Sequence, residues 1–155
     1  AYEMSASLVG SEICIRDRMD IMRQNCLGYA LGITNTDSIS VVHERTFELE
    51  KPDPVKCFLK KLHDLGFVAK EIPCSDFPQQ KNQSIIACWG LFPYLDKCFG
   101  FTSYVYDFHV ARREPDGSWT HKQGWDCPPE PITIDYLTET YGCTPYFFAI
   151  QKKVP

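Results

Sequence analysis

The chain has 155 residues, 44% hydrophobic and 14% aromatic, with a formal net charge of -4. That is an ordinary size for one domain with a sizeable core, and the chain has neither the broad basic field nor the module signatures that recruit nucleic acid. No run reaches the eighteen or so apolar residues of a membrane span, and the N-terminus lacks the charged-then-apolar layout of a signal peptide. A soluble single domain over residues 1–155 is expected, and its localisation stays open.

In chain order, Ile13, Ile15, Met19 and Met22 are spaced loosely as one face of a leader helix over residues 1–24. Gln24 and Asn25 break the pattern. Asn25 can cap a helix that starts at Cys26 and stops at Gly32, followed by a loop from Thr34 to Asp37. Cys26 then falls in the first turn, where unpaired backbone N–H groups and the helix dipole favour thiolate over thiol. The same amides, helped by the side chain of Asn25 or Gln24, suit an oxyanion. The plainer alternative is that Cys26 is one more small buried residue beside Leu27, Ala30 and Leu31.

Residues 38–50, with Val41, Val42, Phe47 and Leu49, read as strand or helix, and His43 as an exposed polar residue. Asp53 and Pro54 open a clearer helix, in which Val55, Phe58, Leu59, Leu62 and Leu65 recur at helical spacing until Gly66 and His63 faces solvent. Phe67–Ile72 reads as a short strand, and residues 73–83 as a polar loop. Ser84–Gly90 is a continuous apolar run, hence a fully buried central strand. Leu91–Phe101 reads as an aromatic loop, and together with the 73–83 loop it is expected to wall a cleft.

Tyr104–Arg113 and Ser118–Gln123 flank Pro115-Asp116-Gly117 and predict a β-hairpin. In that register His109 and His121 share a face as diagonal neighbours. A rigid turn over residues 124–129, a short helix over Ile134–Thr140 and a last strand over Pro145–Lys152 complete the chain. The fold class expected is α+β, with helices packed on one side of an antiparallel sheet of about five strands.

Eight cysteines, at positions 14, 26, 57, 74, 88, 98, 127 and 143, are widely spaced, and several lie in apolar runs where a reduced buried thiol is ordinary. A disulfide framework is the alternative. Without a Cys-x-x-Cys pair, and with His43, His63, His109 and His121 scattered, no metal site is expected.

Asn25-Cys26 with Tyr29-Ala30-Leu31, a central apolar strand, Asp107-Phe108-His109-Val110 and Gly117-Ser118-Trp119-Thr120-His121-Lys122 come in an order that resembles the papain-like cysteine hydrolases of bacteria and phages, the broad NlpC/P60- and CHAP-like group. The resemblance covers about residues 24–126. It implies a papain-like fold with Cys26 as nucleophile, His109 as general base and no cofactor. His121 matches the polar residue that orients the base. Asp126 is its rival, at the position where several injected bacterial effectors of that fold carry an aspartate.

The reaction implied is cleavage of an amide in a peptide or protein substrate, a peptidoglycan stem peptide among them, by a peptidase or amidase of the effector or toxin type. Protein glutamine deamidation uses the same chemistry. An inactive papain-like module that binds a partner through the aromatic stretch Trp89–Phe108 is the reading from another class.

Overall fold

The computed structural model describes residues 25–33, 53–98, 101–124 and 127–155. The leader helix expected before Asn25, Gln24 itself, the 38–50 segment with His43, and Asp126 lie outside the described residues.

Local chemistry sets the helix boundaries. Asn25 Oδ1 accepts from the Gly28 N–H at 2.7 Å, and Gly32 closes the other end in the left-handed region at φ 67°, which makes α1 (Cys26–Leu31) six residues long. Asp53 accepts from the N–H groups of Val55 and Lys56, and α2 (Pro54–Asp64) follows with proline in its first turn. Thr133 caps α3 (Ile134–Tyr141), which ends at Gly142. Among the described residues no helix is long and apolar enough to cross a membrane.

The strands are β1 (Phe67–Ile72), β2 (Ser84–Cys98), β3 (Phe101–Arg113), β4 (Trp119–His121), β5 (Glu130–Ile132) and β6 (Tyr146–Lys152). They form one antiparallel sheet in the order β1-β6-β2-β3-β4-β5. The architecture is α+β, with six strands among the described residues where the sequence predicts about five. The extra one is β5, short, preceded by Pro128 and Pro129 and with Pro131 at its centre. It is an edge strand, the place in a sheet where proline costs no ladder bond.

The segment expected to be an aromatic loop is instead the outer half of β2. Its backbone pairs with β3 as far as Cys98↔Phe101, after a register shift between Trp89 and Phe92 where Gly90 takes φ 73°. Pro93 lies beyond the Ser84–Cys88 stretch that β6 covers, so β2 accommodates it.

Among the described residues, the middle of the sheet is buried on both faces. Leu27 and Ala30 of α1 and Phe58 and Leu62 of α2 pack on Ile86, Cys88, Val110, Phe148 and Ile150. Phe58 lies edge-on to Phe108 at 6.0 Å and tilted against Phe148 at 5.0 Å. Leu137 of α3 packs on the alternate residues, Ile85, Ala87, Trp89, Ala111 and Ala149. The expectation that all helices share one side therefore fails for α3. The run Ile85-Ile86-Ala87-Cys88-Trp89 is apolar on both faces of a pleated strand, and each face needs a cover.

Candidate active site

β3 carries His109 in its middle, opposite Trp89. Period-two alternation puts the His109 side chain with Ala111 on the α3 face, and Val110 with the α1 and α2 face. Ala111 pairs with His121 on β4, so His121 reaches His109 diagonally. His109 Nε2 and His121 Nδ1 are 2.7 Å apart, with the rings nearly perpendicular and their centroids at 4.9 Å. This is the shared face that the hairpin register predicts.

The contact continues outward. His121 pairs directly with Glu130 on β5, and its Nε2 lies 3.0 Å from Glu130 Oε1. His109 is 4% exposed and His121 0%, whereas the Glu130 side chain is 54% exposed. A row of three side chains thus leads from the interior to solvent. Tyr141, in the last turn of α3, stacks on the His109 ring at 5.4 Å and 14°. Burial, with His121 adding to it, pushes the His109 pKa down to about 4. His109 is therefore a neutral imidazole at physiological pH.

Cys26 opens α1 behind the Asn25 cap, as expected, and is partly buried. Its helix belongs to the other face. Tyr29 of α1 donates its hydroxyl to Thr120 Oγ1 at 2.9 Å, and the Arg112 guanidinium sits 4.4 Å over the Tyr29 ring. Thr120 in turn donates to Glu114 Oε1, which also accepts from Arg112 Nε at 2.7 Å. Burial opposes ionisation of Glu114, but the Thr120 hydroxyl and Arg112 outweigh it and hold the carboxyl below the usual range. Burial pushes the Cys88 thiol well up, with Cys26 and then Cys143 adding to it. Cys26 therefore lies within electrostatic reach of Cys88.

The structure brings His109 and His121 together and seats the helix of Cys26 on the opposite face. Asn25 acts as a cap through its side-chain oxygen, while Gln24 and Asp126 are outside the described residues. Two participants were not foreseen. Glu130 follows directly on the 124–129 stretch that reads as a rigid turn, and Tyr141 lies one residue beyond the helix read over Ile134–Thr140. Neither carries a local signal, because both reach the histidines through tertiary pairing. Lys122, beside His121 in sequence, is wholly buried and donates to the Gly124 carbonyl.

The 73–83 loop does not wall the histidines. Arg113 ties it to the far end of β3, donating to the carbonyls of Ser75 and Phe77 and to Gln79 Oε1. A cavity of about 410 Å³ lies there, lined by Gln79, Lys81, Asn82, Arg113 and Gly117 among others, and none of the candidate residues borders it. Cys74, Cys88, Cys127 and Cys143 are unbridged thiols. Among the described residues, no cluster of His, Cys, Asp and Glu is arranged to hold a metal. Comparisons with protein-family models, with curated proteins and with solved structures return no match to this chain.

Proposed function

We propose that the chain is a papain-like cysteine hydrolase that cleaves an amide in a peptide or protein, of the kind delivered as a bacterial effector or toxin, with glutamine deamidation as the variant of the same chemistry. The observation that carries this reading is the row His109, His121, Glu130. It is a neutral, buried imidazole held by a second ring and backed by a carboxylate, which is how a general base is oriented. In the reaction the Cys26 thiol gives its proton to His109 and the thiolate attacks the acyl carbon. The tetrahedral intermediate expels the amine, which takes the proton from His109, and water then releases the acid from the thioester. The helix start at Cys26 favours the thiolate that this needs.

A specific observation favours the second reading, a non-catalytic partner-binding module. α1 and His109 occupy opposite faces of the sheet, whereas proton transfer needs the sulfur and a ring nitrogen within hydrogen-bond reach. Alkylation with iodoacetamide at neutral pH, mapped by peptide mass spectrometry, decides between them. The hydrolase reading expects Cys26 to react far faster than the other thiols and to lose that advantage in His109→Ala. Equal reactivity in both proteins overturns it and leaves the binding module. For an active enzyme, mass spectrometry of peptide substrates separates chain cleavage from deamidation, which adds about one dalton to an intact chain.

A further inference from the structure

From the pairing of β4 with β5, we infer that Glu130 is a positioning residue that fixes both imidazoles in the tautomer with hydrogen on Nε2, leaving Nδ1 of His109 as the basic nitrogen. This rests on the hydrolase reading for its catalytic meaning, and on the contact geometry of a neutral His121 for the tautomer.

The assignment follows from who can donate. A carboxylate oxygen only accepts, so the 3.0 Å contact with Glu130 Oε1 puts a hydrogen on His121 Nε2. In the neutral form of that ring Nδ1 is then an acceptor, and the 2.7 Å contact needs a hydrogen on His109 Nε2. One lone pair remains on His109, at Nδ1. The groups that face this pair are Glu130 from β5 and Tyr141 from α3, with Trp89 the residue paired to His109 from β2.

When Nδ1 of His109 takes a proton, the ring keeps its Nε2 hydrogen bonded to His121, and the Glu130 carboxylate at the far end of the row stands opposite the charge that forms. Nδ1 of His109 then returns the proton to the leaving amine. A lone second histidine fixes only orientation, whereas Glu130 adds the charge that the buried pair lacks.

The test is the imidazole nitrogen NMR spectrum of the full chain labelled at histidine, taken near neutral pH. It needs neither substrate nor a reactive thiol, so it can succeed where the alkylation test fails and the reverse. The expected wild-type spectrum shows His109 and His121 both protonated on Nε2. Glu130→Ala should scramble the tautomer of His121 and with it that of His109, while Glu130→Gln, whose amide oxygen still accepts, should restore it. Glu130 lies on an exposed edge strand, and Glu130→Gln keeps its size, so folding does not limit the measurement. A wild-type His109 protonated on Nδ1, or a Glu130→Ala spectrum unchanged from wild type, overturns the inference.

Discussion

His109 is 4% exposed, and withdrawal from water penalises its protonated form more than its neutral one. Its pKa in the folded chain is about 4, against the ordinary 6.5. Between those values the unfolded chain binds more protons than the folded one, so stability is complete above pH 6.5 and falls as the pH drops toward 4. The difference corresponds to about 3 kcal/mol at most. Urea unfolding from pH 7.5 to pH 4 should show this loss in the wild type and a flatter profile in His109→Asn. Parallel profiles would mean that the ring is not buried neutral. At this scale the sequence was informative about His109 and His121, because turn chemistry and strand alternation together fix which residues share a face. Glu130 was not legible, since its neighbours Pro129 and Pro131 read as punctuation and only the sheet edge gives them a strand's geometry.

At the scale of elements, α1 is too short to hold itself together. Two things dock it. Leu27 and Ala30 are buried against the sheet, and the Tyr29 hydroxyl joins the polar cluster of Thr120, Glu114 and Arg112. Tyr29→Phe should cost about 1 kcal/mol and Thr120→Val a similar amount, the net worth of a partly buried hydrogen bond. In a double-mutant cycle by denaturant unfolding the two should be non-additive, because they share one bond. Simple additivity would show that apolar packing alone seats the helix. The boundaries of α1 and α2 were readable from Asn25, Gly32, Asp53 and Pro54, all of which act within a few residues. The length of β2 was not, because Pro93 and Gly90 look like a strand's end until a partner as long as β3 supplies the pairing.

At the scale of the molecule, one strand segment serves both layers. Residues 84–88 of β2 pair with β6 on one side, and β3 takes the other side from Ile86 onward. Ile85, Ile86, Ala87 and Cys88 are wholly buried, alternately under α1 with α2 and under α3. That two-sided burial was legible as an unbroken apolar run, but which helices cover which face depends on chain paths that periodicity does not encode. The arrangement predicts an order of opening. Backbone amides of Ile86 and Ala87 cannot meet water until both layers separate, so they should exchange hydrogen only through global unfolding. Their exchange free energy should equal the stability measured with denaturant. Amides of β5, an edge strand of three residues, should exchange far sooner by local opening, because only β4 holds it in the sheet. Native-state hydrogen exchange read by mass spectrometry resolves the two segments. If β2 exchanged as readily as β5, the two helical layers would be opening independently, and the sheet would not be the common wall on which both cores depend.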